Sequence, residues 1–174
     1  MPTSILVAYA TRYGSTQEVA EAAAATMRER GLDVDLLPAA KVRSLDTYRA
    51  VVLGAPLYMF RWHADAHRFL SRLRKALTPP GGPRVAVFGM GPWHADPKEM
   101  QDARGQLDKE LAKHAWFRPA AVEVFGGKFD PARLDFPYSL IGPLKKMPAA
   151  DVRDWAAIST WAGGLAAALL NPAP

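Results

Sequence analysis

The chain has 174 residues, of which 49% are hydrophobic, and it carries a formal net charge of +5 with no cysteine. These values predict one folded domain over residues 1–174 and exclude disulfides, thiolate nucleophiles and iron–sulfur ligation. The basic balance favours anionic ligands or an anionic membrane surface, and we expect no specific nucleic-acid partner. The sequence starts without a signal-peptide pattern and has no apolar run long enough to span a membrane, so we expect a cytoplasmic protein.

Apolar runs of strand length alternate with segments of helical periodicity. The predicted strands are Ser4–Ala10, Leu32–Leu37, Ala50–Gly54, Arg84–Phe88 and Ala120–Phe125. The predicted helices are Ser15–Arg30, Arg61–Leu77, Pro97–His114 and Asp151–Leu170. An irregular insertion is predicted at about 128–150 and a frayed tail at 171–174. The alternation predicts a three-layer α/β fold, with a doubly wound, five-stranded parallel sheet in the order 2-1-3-4-5.

Ligands of such sheets bind beyond the carboxyl ends of the strands, where the loops Thr11–Thr16, Ala55–Phe60, Gly89–His94 and Gly126–Phe129 would meet. Three of these loops combine glycine or proline with an aromatic residue, which suits a flat aromatic ligand. The first loop offers hydroxyl donors and a glycine at the start of a helix, a pattern that favours a phosphate. An ordinary strand-to-helix turn with a Ser/Thr cap explains the same residues.

These loops resemble those of the flavodoxins. Residues 11–16 (TRYGST) are similar to the phosphate loop, 54–63 (GAPLYMFRWH) to the second flavin-contacting loop and 87–92 (VFGMGP) to the third. Three C-terminal stretches, W-x-R-P at 116–119, FGGK at 125–128 and DW-x-x-I-x-x-WA at 154–162, resemble the flavodoxin-domain subgroup of quinone-dependent protoporphyrinogen dehydrogenases. The likeness covers nearly the whole chain, and it is the order and spacing of the motifs that carry it.

The resemblance implies a flavodoxin-like fold and bound FMN. It places Thr11, Arg12, Tyr13, Gly14, Ser15 and Thr16 at the phosphate, and Pro56, Leu57, Tyr58, Met59, Gly89, Met90, Gly91 and Trp93 near the isoalloxazine, with Tyr58 and Trp93 as stacking candidates. Arg12 and Tyr13 stand where shuttle flavodoxins have small residues, so the Tyr13 ring either covers the phosphate or obstructs it. His94 is a candidate proton relay to reduced flavin, the alternative being a solvated loop histidine.

The chain is basic, whereas shuttle flavodoxins are acidic. A positive field near the flavin would stabilise its anionic reduced form and raise its potential, which favours a flavin-dependent oxidoreductase over a low-potential carrier. Quinone-linked protoporphyrinogen oxidation is the specific activity that the C-terminal resemblance implies. The redox partner would be a reductase, a quinone or a small-molecule acceptor. The alternatives are an electron-carrier module without its own substrate and a cofactor-less interaction domain.

Other functional classes fit the sequence less well. A phosphate-loop NTPase needs a lysine after the glycine loop, and a dinucleotide site needs G-x-G-x-x-G after the first strand. His63 and His67 have the spacing of metal ligands, but a surface histidine pair is the simpler interpretation, and we expect no metal. Residues 128–147 mix apolar and basic side chains, so they form either a lid or packed loop at the site or a peripheral membrane contact.

Overall fold

The structure, a computed structural model, describes residues 4–170, so the predicted frayed tail lies outside it. Its strands are β1 (Ser4–Tyr9), β2 (Val34–Pro38), β3 (Tyr48–Tyr58), β4 (Arg61–Trp62), β5 (Arg84–Met90), β6 (Ala121–Phe125), β7 (Lys128–Phe129) and β8 (Ala150–Asp151). Its helices are α1 (Ser15–Glu29), α2 (Ala64–Arg72), α3 (Arg74–Leu77), α4 (Pro97–Ala112), α5 (Gly142–Lys145) and α6 (Trp155–Leu170). Among these residues, no helix has the length and apolarity needed to cross a bilayer.

Five strands form one parallel sheet in the order β2-β1-β3-β5-β6. When only parallel strands are counted, this is the predicted order 2-1-3-4-5, so the predicted doubly wound α/β fold is confirmed. The additional strand β4 pairs antiparallel with the end of β3, with Leu57 opposite Trp62. The order reverses between β1 and β3, and the carboxyl ends of both strands lie at the edge where ligands bind in such folds; β3 extends past the end of β1.

The sheet separates two hydrophobic cores. Alternate residues of β1 point to opposite faces, so Ile5 and Val7 enter one core whereas Leu6 and Ala8 enter the other. Helices α1 and α6 cover the first face, and α2 and α4 cover the second. Because β1 is buried on both sides, its sequence is continuously apolar, as expected for a central parallel strand.

The predicted helix Arg61–Leu77 is wrong at its start. Arg61 and Trp62 pair with β3 instead, and the helix begins at Ala64, where the His63 ring caps it by accepting from the Asp65 N–H at 3.1 Å. A break at Leu73 then separates α2 from α3. Helical periodicity continues through the two paired residues, which is why sequence alone misses the strand.

The last helix also starts later than predicted, at Trp155 instead of Asp151. The Asp154 carboxylate accepts from the Ala157 N–H at 2.9 Å, which is the geometry of an N-cap. Asp151 lies in β8, which pairs with β7 and so joins the two ends of the segment predicted to be irregular. That segment contains two short 3-10 turns, the helix α5 and this two-stranded ribbon.

Candidate functional site

The loop between β1 and α1 has the backbone geometry of an anion site. Gly14 adopts a left-handed conformation, with φ of 91°, and its N–H donates to the Thr11 hydroxyl at 2.9 Å. Helix α1 then begins without a side-chain cap, so its first-turn N–H groups have no side-chain acceptor. The Ser/Thr cap of the alternative interpretation is therefore not formed, and the positive end of the α1 dipole has no side-chain acceptor.

Two hydroxyls are buried in the first turn of α1. Thr16 is 0% exposed and Ser15 is 9% exposed. The Thr16 hydroxyl oxygen has no hydrogen-bond partner. Leaving such a group unpaired costs about 1–3 kcal/mol, and an acceptor supplied from outside the chain would remove that cost. A phosphate oxygen fits this set of donors.

The second predicted loop is largely strand. Pro56, Leu57 and Tyr58 belong to β3, so the prediction that this strand ends at Gly54 is wrong. The chain turns at Met59 and Phe60, which both have positive φ, 48° and 64°. This turn is of the tight kind that joins two antiparallel strands, and such strained backbone is concentrated at functional sites. Both side chains are exposed, at 66% and 80%.

The third loop is shorter than predicted, because Gly89 and Met90 lie in β5. Gly91 follows, and its N–H donates to Phe125 O at 2.7 Å. The Trp93 ring stacks on Phe129, with centroids 4.8 Å apart and planes at 23°. Its indole N–H is buried and has no partner. Trp93, one of the two stacking candidates, is thus already in contact with another aromatic ring, while its indole N–H remains unpaired.

The aromatic residues from these loops line one cleft that is partly open to solvent. It is bounded by Tyr13, Ser15, Pro56, Leu57, Tyr58, Met59, Met90, Gly91, Trp93, Gly127, Lys128, Phe129, Asp130, Arg133, Leu134, Tyr138 and Leu144. Nine of the fourteen residues predicted for the cofactor are on this wall. Thr11, Arg12 and Gly14 lie in the adjoining anion loop, Thr16 lies in the first turn of α1, and Gly89 lies within β5.

Residues 128–147, here called the strap, supply one wall of the cleft. The Asp135 carboxylate accepts from Arg12 at 2.7 Å and from the Tyr13 hydroxyl at 2.8 Å. Arg133 donates to Tyr13 O at 3.1 Å, and the Arg12 guanidinium lies 4.7 Å from the Tyr138 ring centroid. The strap is therefore bound to the anion loop. Of the two interpretations of residues 128–147 from sequence, the lid or packed loop at the site describes this arrangement.

Hydrogen bonding lowers the pKa of Asp135, and burial raises the pKa of Tyr13 and Tyr58. Arg12 and Tyr13 both donate to Asp135 and hold its pKa below the usual value. Burial raises the pKa of Tyr58, with a further contribution from Tyr13, which lies edge-on at 5.9 Å. Burial and the Asp135 hydrogen bond likewise raise the pKa of Tyr13. Both phenols are therefore neutral donors at physiological pH.

A second arginine, Arg153, contacts the first turn of α1. The Arg153 side chain is 4% exposed, and it forms ion pairs with Glu18 and Asp151 while donating to Ser15 O at 3.4 Å. It ties the chain just before α6 to the first turn of α1. The sequence does not reveal this contact because Glu18 and Ser15 are 135 and 138 residues away.

The remaining candidates lie away from the cleft. His94 is exposed, and its ring contacts Glu99 at 3.2 Å. It is not among the residues that line the cleft. His63 and His67 have different partners: His63 caps α2, whereas His67 contacts Glu110 and His114. Within residues 4–170, no group of three or more His, Asp or Glu side chains is arranged to hold a metal ion.

The fold and the cleft define a doubly wound α/β protein with an anion loop beside an aromatic-lined site. Residues 6–141 match the family model of the flavodoxin domain. The chain therefore belongs to the flavodoxin domain family. The search of curated proteins finds no significant match.

Solved structures agree with this assignment at the level of the fold. A flavodoxin from the domain Archaea superposes with a TM-score of 0.60 at 15% identity, covering 97% of this chain and 99% of that one. Flavodoxin 1 from Bacillus cereus gives 0.57 at 16% identity, covering 98% and 99%. The Flv1 flavodiiron core from Synechocystis sp. PCC6803 gives 0.58 at 16% identity, covering 99% of this chain and 37% of that one. The fold is therefore that of the flavodoxins.

Proposed function

We propose that the chain binds FMN in the cleft and acts as a flavin-dependent oxidoreductase. The observation that carries this proposal is the buried, unpaired hydroxyl of Thr16 at the uncapped start of α1. It lies in the first turn of α1, beside the aromatic-lined cleft. A phosphate joined to a planar ring system matches both features at once.

Different residues would hold the phosphate and the ring system of FMN. Thr11, Ser15, Thr16 and the first N–H groups of α1 bind the phosphate, and Arg12 adds positive charge beside them. The aromatic and apolar wall from Tyr58 to Trp93 excludes water from the ring. Bound FMN would supply the electron or hydride transfer, and the chain supplies binding, orientation and electrostatics.

Charge favours an oxidoreductase over a low-potential carrier. The cleft wall includes Lys128 and Arg133 as well as Asp130, and the net charge of the chain is +5. A positive surrounding stabilises the anionic reduced flavin and therefore raises its two-electron potential. A carrier without a substrate of its own is the alternative. The potential of the bound flavin, compared with that of free FMN, distinguishes the two: a raised value supports the oxidoreductase.

The proposed cofactor is tested with the purified protein. We expect the visible absorption bands of oxidised flavin after reconstitution, and tighter binding of FMN than of riboflavin because only FMN carries the phosphate. Ser15→Ala combined with Thr16→Ala should weaken FMN by roughly 1–3 kcal/mol and leave riboflavin unchanged. A colourless protein that takes up neither flavin contradicts the proposal and leaves the cofactor-less interaction domain.

The finer activity in this proposal is quinone-linked oxidation of a porphyrinogen. It is supported by the resemblance of the stretches at 116–119, 125–128 and 154–162 and by no substrate-binding feature of the cleft. The assay is anaerobic turnover of protoporphyrinogen with a soluble quinone as acceptor. Flavin reduction by the porphyrinogen, followed by reoxidation by the quinone, is the expected result. A flavin that the porphyrinogen fails to reduce rejects this substrate without affecting FMN binding.

The strap also supports a peripheral membrane contact. Phe136 and Leu140 are each 74% exposed, and Lys145 and Lys146 follow in the same segment. Exposed apolar side chains with nearby lysines are typical of surfaces that rest on anionic lipid. Flotation with anionic liposomes at low and high salt tests this contact. We expect binding that Phe136→Ser combined with Leu140→Ser abolishes, and no flotation at low salt rejects it.

A further inference from the structure

Glu110, on α4, is a buried charge that the cleft does not use. The residue is 3% exposed. Its Oε2 accepts from the Trp62 N–H at 3.2 Å and contacts His67 Nε2 at 2.9 Å, while Lys113 pairs with Oε1. A carboxylate is costly to bury unless all its partners are present, and removing a partner is expensive. These bonds therefore fix the position of the groups that donate to Glu110.

One of those donors belongs to the hairpin that forms a wall of the cleft. Trp62 lies in β4, which pairs with the end of β3, and its indole N–H donates to Ala55 O at 3.2 Å. The His63 N–H donates to Pro56 O at 3.1 Å. Residues Pro56 to Met59 of this segment therefore line the cleft, while the Trp62 N–H attaches the same segment to Glu110.

His67 connects Glu110 to a second histidine. His67 Nδ1 and His114 Nε2 are 2.8 Å apart, and the two rings are stacked with centroids at 5.1 Å. When His67 Nε2–H donates to Glu110, its Nδ1 accepts from His114 if both rings are neutral, or donates to His114 if His67 is charged. With both rings charged, two N–H groups face each other. The pair therefore accommodates one added proton, and a second breaks the bond between the rings.

The charges around this cluster come from three elements. Helix α4 and the turn after it carry Glu110, Lys113 and His114, whereas α2 carries His67. From α3, the Arg74 guanidinium lies over the Trp116 ring, which contacts His114 edge-on. Burial, with repulsion from His67, lowers the pKa of His114.

The pKa of Glu110 is the balance of opposing effects. Burial raises it, but hydrogen bonds from Lys113, His67 and the Trp62 N–H outweigh that effect and leave the pKa low. At neutral pH the cluster therefore contains a charged Glu110 and an uncharged His114.

We propose that Glu110 is a positioning residue for the flavin site and that it acts through Trp62 on the hairpin carrying Pro56 to Met59. This anchor weakens in acid once the His67–His114 pair takes up its second proton and the bond between the rings breaks. The inference rests on the proposed function for the identity of the ligand. The anchor itself is a property of the chain alone and is measured without ligand.

The first experiment compares the pH profile of FMN affinity in the wild type and in His114→Gln. Glutamine keeps an N–H donor for His67 but never takes a proton. Between about pH 7.5 and 5.5, the wild-type dissociation constant should rise by about fivefold more than that of the variant, the low end of coupling between linked sites. The FMN phosphate itself titrates near pH 6, but this contribution is common to both proteins. His94→Gln is the control and should keep the wild-type profile. Parallel profiles for wild type and His114→Gln overturn the pH dependence.

The second experiment measures hydrogen exchange of the Trp62 backbone amide in the ligand-free chain. In Glu110→Gln, one of the two Glu110 oxygen sites must present an NH2 group to a donor. We expect exchange of this amide, corrected for the intrinsic rate, to be about tenfold faster, corresponding to about 1.4 kcal/mol of local opening. Amides in β1 should be much less affected. Unchanged exchange at Trp62 overturns the anchor.

The two experiments separate the inference from the proposed function. If the wild type binds no flavin, the proposed function fails, and the exchange of the Trp62 amide still decides whether Glu110 anchors the hairpin. If Glu110→Gln does not fold, exchange of this amide in His114→Gln and the wild type is compared at about pH 5.5 instead. Faster exchange in the wild type supports the anchor and its weakening in acid, and equal rates overturn the weakening in acid.

Discussion

The Tyr13 hydroxyl donates to the Asp135 carboxylate at 2.8 Å, across 122 residues of sequence. Arg12 donates to the same oxygen, so two successive residues of the anion loop hold one carboxylate of the strap. Tyr13 therefore contacts the strap with its polar end and Tyr58 with its ring. In this arrangement its hydroxyl is directed to Asp135, while the first-turn N–H groups of α1 keep no side-chain acceptor.

Asp135→Asn tests what this contact does for ligand binding. The substitution removes a negative charge beside Arg12, so the guanidinium is left to attract the FMN phosphate. We expect FMN to bind roughly threefold more tightly at low salt, an effect that shrinks in high salt because both groups are near the surface. Titration of the apoprotein with FMN measures it, and riboflavin is the control. Weaker binding of FMN would mean that the strap contact itself is needed for the site.

Thr16→Val tests two effects of the buried hydroxyl separately: its effect on the stability of the apoprotein and its effect on FMN affinity. Valine has nearly the same shape but no unpaired oxygen, so the apoprotein should gain up to about 1 kcal/mol of unfolding free energy. FMN affinity should fall about tenfold because one phosphate donor is lost. Denaturant unfolding of the apoprotein and FMN titration measure the two effects.

The matched control is Thr26→Val on the same helix. The Thr26 hydroxyl already donates to Ala22 O at 3.0 Å. This variant should leave FMN affinity unchanged. It should also give no gain in stability, because it removes a hydroxyl that already has a hydrogen-bond partner. A gain in stability for Thr16→Val without a loss of FMN affinity would place the phosphate elsewhere.

Gly14→Ala tests the left-handed start of α1. Nothing lies within 4 Å of the position that a Cβ would take, so the cost is purely conformational. A left-handed conformation costs a non-glycine residue about 1–2 kcal/mol, and we expect that loss of stability together with weaker FMN binding. Gly105→Ala is the control, because this glycine lies in open space within α4. It should stabilise the protein by about 0.5–1 kcal/mol and leave FMN binding unchanged. A neutral Gly14→Ala would contradict the assigned backbone conformation.

The sheet was predictable from sequence because central parallel strands leave a continuous apolar signal. Ser4–Tyr9 and Arg84–Met90 are such strands, and their order follows from the connections between them. The left-handed turn before α1 was predictable for a similar reason, since Gly14 marks it locally. The end of β3 was not: Pro56 and Leu57 resemble a loop until their pairing with β4 is known.

The strap and the Glu110 cluster depend on contacts that no local pattern encodes. Asp135 meets Arg12 across 123 residues, and Glu110 meets Trp62 across 48. The spacing of His63 and His67 is that of metal ligands, yet the two rings have unrelated partners because the helix begins between them. Sequence therefore predicts the loops that each strand carries, and only the tertiary structure identifies the side chains that fix those loops in place.

The His63 cap makes the start of α2 sensitive to acid. His63 Nδ1 must be unprotonated to accept from the Asp65 N–H, and burial, with Arg12 and Arg68 nearby, lowers its pKa against the opposing effect of Asp65. Because the unfolded chain takes up this proton more readily, the cap's contribution is complete above about pH 6.5 and is lost as the pH falls through the lower folded value.

His63→Asn keeps a capping acceptor that does not titrate, and His63→Ala removes the cap. We expect His63→Ala to lose about 0.5–2 kcal/mol of unfolding free energy at pH 7.5. His63→Asn should stay near the wild type at that pH and then lose less stability than the wild type on going to pH 5. Denaturant unfolding at several pH values measures all three proteins. If the wild type and His63→Asn lose stability in parallel, the ring does not act as a titrating cap, and another group causes the acid sensitivity.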